Sequence, residues 1–170
     1  MALTQVASGL IASVSGASLT GTQTIPRGTL PTGSVLHVVQ GTYATIQSTS
    51  STSFVDTNLT ASITPSSSAS KVLVFVNLNG CLSLNSLSSS LQCTLVRGST
   101  SICNFADAGL TNFASRNDFG DCAVTYLDSP ATTSSTTYKV QGRSSNGGTV
   151  YWCNQSGIAV STITLMEISA

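Results

Sequence analysis

In the segment from Phe54 to Pro65, Leu59, Ala61 and Ile63 alternate with Thr60, Ser62 and Thr64. A period of two puts the first set on one face of a strand and the second on the other, an arrangement that a helical period of 3.6 cannot produce. Comparable segments recur from Ser34 onward at intervals of roughly a dozen residues, the spacing of a sandwich or barrel. They are SVLHVVQGTYATIQ, SFVDTNLTASITP, KVLVFVNLNG, SLQCTLVRGSTSICNF, DCAVTYLDSP, TTYKVQGRSS, GTVYWCNQSG and STITLMEISA. No helical pattern of a dozen residues interrupts them. About eight or nine strands are too many for one open sheet in a chain of this length, so the expected fold is all-β, an antiparallel two-sheet sandwich of jelly-roll type.

The composition supports the same fold class. Ser and Thr supply 54 of 170 residues. Ser competes with the helix for backbone hydrogen bonds and Thr is stiff at χ1, yet both fit pleated strands and turns. Only 7% of residues are charged, against roughly 25% in ordinary domains, so hydroxyls rather than ions meet the solvent. The formal net charge is zero. Neither nucleic acid nor an anionic membrane surface is expected as a partner, since both need a basic face. A neutral chain also lacks the self-repulsion that keeps a monomer dispersed, which suits a fixed assembly. No apolar run reaches the length of a membrane span, and MALTQVASGL lacks the basic start of a signal peptide. Synthesis in a cytoplasm is the corresponding expectation.

Residues 1–32 differ from the remainder. They mix small residues with Gly16, Gly21 and Gly28, and Pro26 and Pro31 push the residues before them to extended geometry. The expectation is an extended N-terminal arm that attaches to another subunit, with Ile25, Pro26, Arg27, Leu30 and Pro31 as its contact residues, followed by a sandwich domain over 33–170. Within that domain KVLVFVNLNG, with Val72, Val74, Val76 and Leu78 on one side and Leu73 and Phe75 on the other, is expected as a central strand covered on both faces. The hydroxyl run between Thr64 and Ser70 is expected to cross solvent between layers, with Ser side chains satisfying their own backbone. Leu91, Cys93 and Leu95 point inward on a hairpin that turns at Arg97-Gly98-Ser99, and Asn146-Gly147 signals a further turn between strands.

Residues capable of chemistry are few. His37 is the only histidine, so any Ser-His-Asp or Cys-His arrangement would have to be built on it, and its place among Val35, Leu36, Val38 and Val39 reads as structural. A glycosidase needs two carboxylates at a defined separation, and no pair stands out beyond Asp118 and Asp121. Those two lie with Asn117 in SRNDFGDC, read as a solvated loop, where oxygen ligands offer a weak candidate site for Ca²⁺. Glycine-rich phosphate loops are absent: NGG and GTYAT lack the Lys and the following helix. The five cysteines show no C-x-x-C spacing and sit in apolar strands, which reads as buried thiols. The two N-x-S/T sequons read as chance matches in a chain so rich in hydroxyls. Tyr151 and Trp152 are weak candidates for stacking on a host-surface glycan, with core packing the alternative for Trp152. Neither a cofactor, a catalytic residue nor a confident metal ligand is expected.

Several pieces, taken in order, carry a family likeness: Phe54-Val55-Asp56, Ile63-Thr64-Pro65, Lys71 to Asn77, Leu127-Asp128-Ser129-Pro130, Thr137-Tyr138 and Leu165-Met166-Glu167. Over residues 33–170 they resemble a β-rich module of virion structural proteins in tailed bacteriophages of cyanobacteria and other marine bacteria, where it stands at the C-terminal end of tail-fibre-like proteins. The resemblance implies a non-enzymatic, homotrimeric component on the particle surface whose partners are its own copies and other virion proteins, such as major capsid or tail proteins. In place of a fibre shaft this chain has only the arm of residues 1–32, which favours a capsid decoration or cement role over a short fibre. A receptor- or carbohydrate-binding fibre tip for host attachment is the alternative.

Overall fold

The computed structural model describes residues 30–84, 89–107, 116–153 and 160–170. Among these, every regular element is a strand: β1 (Val35–Tyr43), β2 (Gln47–Thr49), β3 (Val55–Ile63), β4 (Lys71–Leu84), β5 (Leu91–Arg97), β6 (Thr100–Asp107), β7 (Arg116–Asp128), β8 (Thr136–Ser144), β9 (Val150–Trp152) and β10 (Ser161–Ile168). By its contacts Pro31–Ala170 forms the second of two units of the chain. Of the expected arm contacts, Ile25, Pro26 and Arg27 lie outside the described residues. Pro31 begins the second unit, where its carbonyl accepts from Ser34 N at 3.1 Å and from Ser169 Oγ at 2.7 Å.

Two antiparallel sheets pack face to face. The larger runs β1-β10-β4, with β7 along the other side of β4 and with β9 and then β2 continuing the β10 side past Gly80. The smaller runs β3-β8-β5-β6. The pairings β1 with β10, β3 with β8, β4 with β7 and β5 with β6 are nested like the two arms of one long hairpin. Rolling that hairpin up brings β10 onto β4 and β8 onto β5 and closes the two sheets, which is jelly-roll topology with β2 and β9 as short additions.

The alternation that predicts the strands also sorts them. Leu59 and Ile63 are buried and Thr60 and Ser62 exposed, as period two requires. Val72, Val74 and Leu78 of β4 point into the core opposite Leu91, Leu95 and Val140 of the smaller sheet. Where β1 crosses over β3 the backbones nearly touch: a Cβ on Gly41 would lie 2.0 Å from the Thr60 carbonyl oxygen. Only glycine permits that approach.

Two expectations need correction. Phe75 is 38% exposed, so β4 is central in its sheet but covered on one face only; a sandwich has just one inner face per sheet. SRNDFGDC is not a loop, because residues 116–128 form β7 and pair with β4 along its whole length. Gly80 and Gly120, at φ 62° and 72°, take up the register shifts between the two strands. The Asn146-Gly147 turn joins β8 to β9, as expected, and carries the chain from the smaller sheet to the larger.

Candidate functional site

Buried polar groups in a two-sheet body need partners or they destabilise it. Here they supply ties between the sheets, and two ties meet at one end of the sandwich. The first is built on Asp128, the last residue of β7, 6% exposed. Its carboxylate accepts from Arg97 Nη1 at 2.8 Å on both oxygens and from the Tyr138 hydroxyl at 2.6 Å. Arg97 ends β5 and Tyr138 lies on β8, so an acid of the larger sheet is held by two donors of the smaller. Burial, and then the hydrogen bond to Asp128, pushes the Tyr138 phenol far above its usual value, while the carboxylate raises the Arg97 guanidinium.

The second tie involves Glu167 of β10, a fully buried acid. Its Oε1 accepts from Ser66 N at 2.7 Å, Ser66 Oγ at 2.6 Å and Ser70 Oγ at 2.9 Å. The hydroxyl run between β3 and β4 is therefore not a plain solvent crossing. Its local Ser bond is present, Ala69 N to Ser67 Oγ at 3.1 Å, but Ser66 and Ser70 turn inward as a cradle for a carboxylate. The register sets His37 of β1 beside Glu167.

A third tie crosses elsewhere. Trp152 is 1% exposed, and its indole N–H donates to the Thr57 carbonyl at 3.3 Å. The ring lies over Gly142, where a Cβ would stand 3.5 Å from Trp152 Cζ3, an ordinary packing distance. Stacking of Trp152 on a glycan is thereby overturned, as the indole is consumed by the core. Its neighbour Tyr151 is half-buried on β9, opposite Ser48 and Leu82.

The candidate metal ligands all lie on β7. Asn117 and Asp118 fall within β7, where their side chains lie outside the described residues. Asp121 Oδ1 accepts from Gly80 N at 3.2 Å and so braces the irregular part of β4. Among the described residues no cluster of three His, Cys, Asp or Glu has metal-binding geometry. Asp56 pairs with Lys139 at 2.8 Å and accepts from Gln141 Nε2 at 2.7 Å, which lowers its pKa, the Lys139 hydrogen bond contributing most.

Sequence reasoning missed a thiol cluster. Cys81 and Cys122 of the larger sheet meet Cys93 of the smaller in the core, each nearly inaccessible. Interaction with Cys122, with burial second, pushes the Cys81 and Cys93 thiols far up, and Cys81 Sγ donates to the Leu78 carbonyl at 3.2 Å. All five cysteines are free thiols. The signal was faint: the three positions share only inward parity on separate strands.

The two outer faces differ in character. The smaller sheet carries the Asp56–Lys139 pair and Arg143, whose guanidinium stacks 4.6 Å from the Phe54 ring. The larger sheet presents Val38, Phe75 and Leu127, all exposed. A shallow groove of about 340 Å³ runs there between β4 and β7 beside Phe75. No protein-family model and no curated protein matches the chain.

Proposed function

We propose that this protein is a non-enzymatic structural component of a tailed-phage particle: a surface-displayed, homotrimeric jelly-roll sandwich that decorates or cements the capsid or forms a short fibre. In this reading residues 1–32 attach it to other virion proteins, such as major capsid or tail proteins. The observation that carries the reading concerns the pieces that resemble phage virion modules. Asp128, Tyr138 and Glu167, all within those pieces, serve as ties that hold the sandwich together. The likeness thus rests on the fold's own fastenings, as it would in a module kept for shape.

The chemistry of the acids points the same way. Asp56, Asp121, Asp128 and Glu167 each have carboxylate oxygens engaged by protein donors, where a general acid or nucleophile would need an oxygen turned to a substrate. Electron microscopy of phage particles carrying a label at the C-terminus of this chain tests the proposal. Label on intact heads or tails supports it and distinguishes decoration from fibre; label confined to the lysate and never on particles ends it.

A further inference from the structure

We propose that the outer face of the larger sheet is a self-association surface that seats a second copy of this chain. The proposal names the surface for the self-assembly put forward above and rests on that part of the reading. The register carries the argument. Leu73 of β4 lies opposite Leu127 of β7 on one side and Met166 of β10 on the other, and Met166 lies opposite Val38 of β1. One unbroken apolar row therefore crosses all four strands. Its two ends stand clear, Leu127 at 50% and Val38 at 51% exposure, and Phe75 in the next row is 38% exposed.

Charge selects the occupant. Along the β4 stretch that faces β10 and β7, from Lys71 to Asn77, Lys71 is the only charge on this face, and Thr125, Thr164 and Gln40 flank Phe75. A charged polymer or lipid headgroup finds almost nothing to pair with, whereas an equally neutral face meets it without stranding an ion. The net charge of zero leaves no repulsion between copies. Size agrees as well. Four strands about 4.8 Å apart and seven residues long, at about 3.4 Å each, make a footprint on the order of 450 Å². A neighbouring copy seated on this face buries about as much of its own surface, on the order of 900 Å² in all before side-chain relief is counted, close to the ~1,000 Å² at which specific interfaces begin. The groove beside Phe75 gives an apolar side chain of the neighbour a place to enter.

The test is the solution mass of the full chain by native mass spectrometry, for the wild type and for Val38→Lys, Phe75→Lys and Leu127→Lys, singly and combined. These side chains are exposed, so the monomer fold should tolerate lysine. The wild type is expected at a multiple of 17.3 kDa. Each single variant should raise the dissociation constant by about tenfold or more, and the combined variant should run as one chain. Ser62→Lys, on the outer face of the smaller sheet, should leave the mass unchanged. An oligomer untouched by the combined variant overturns this surface but leaves self-assembly standing; a wild type that is monomeric at every concentration overturns both. A multiple other than three that collapses on substitution supports the surface and counts against the trimer alone. Peroxide oxidation of Met166 in the wild type needs no substitution: its rate should fall several-fold on going from dilute to concentrated protein, and a rate independent of concentration contradicts the proposal.

Discussion

The Tyr138 hydroxyl donates to Asp128 Oδ2 at 2.6 Å, and the two residues belong to different sheets. A hydrogen bond to a charged acceptor contributes about 1.5–3 kcal/mol, and more is lost when a buried charge is left short of partners. Tyr138→Phe should therefore lower stability by about 2 kcal/mol, and Asp128→Ala, which strands Arg97 and Tyr138 together, by about 3 kcal/mol. Urea denaturation of the two variants and their double mutant checks this. Strictly additive losses would mean that the two groups do not act on each other.

The same pair sets a limit at high pH. The Tyr138 phenol is raised by burial and by Asp128, so the folded state holds its proton more tightly than the unfolded chain does. That contribution is complete below the unfolded phenol value of about 10 and is lost as pH climbs beyond it toward the folded value. Wild-type stability should fall more steeply above about pH 10 than that of Tyr138→Phe. Asp56 acts in the opposite direction, its depressed pKa contributing above the ordinary carboxylate value and fading as pH falls. Being half exposed, it should produce only a slight acid dependence.

Ser66 and Ser70 should matter more than other residues of the loop they occupy. Ser70→Ala removes one donor to Glu167 and Ser66→Ala another, while Ser67→Ala removes only a local bond. The first two should each cost about 1 kcal/mol, a melting shift of about 2–4 °C in a chain of this size. Glu167→Ala should cost more, since it leaves all three donors without their acceptor. Calorimetry ranks the four, and a Ser67→Ala loss equal to that of Ser70→Ala would contradict the cradle.

Gly41→Ala tests the crossing of β1 over β3. The added methyl carbon would sit 2.0 Å from the Thr60 carbonyl oxygen, so one of the two strands must move. A loss at or above about 3 kcal/mol, the upper end for overpacking, is expected. A thermal midpoint equal to wild type would mean that β1 does not approach β3 in this way.

Thiol reactivity reports on the core. Cys81, Cys93, Cys122 and Cys153 are buried and Cys103 is partly exposed. A thiol reagent should modify the folded protein at Cys103 alone and all five positions after denaturation, because buried thiols in apolar surroundings are inert. Rapid labelling of Cys122 in the folded state would show that the core opens.

How much of this was legible follows from which signals are local. The alternation of Leu59, Ala61 and Ile63 with Thr60 and Ser62 fixes inward and outward faces without tertiary information, and the β5–β6 hairpin was readable from Gly98. The beginning of β7 was not. Asn117, Asp118, Gly120 and Asp121 have turn chemistry, and it is the ladder with β4 that overrides it. The role of Ser66 and Ser70 was equally hidden, because their acceptor Glu167 lies about a hundred residues away in sequence. For Trp152 the sequence left core packing and glycan stacking both open, because the Thr57 carbonyl that receives its indole N–H belongs to another strand.

Sedimentation equilibrium of the purified full-length chain at micromolar concentration tests most directly whether this sandwich exists to assemble with itself. The account predicts a mass of three chains, each of 17.3 kDa, stable to dilution into the low micromolar range. A single-chain mass throughout, with no dependence on concentration, would contradict it.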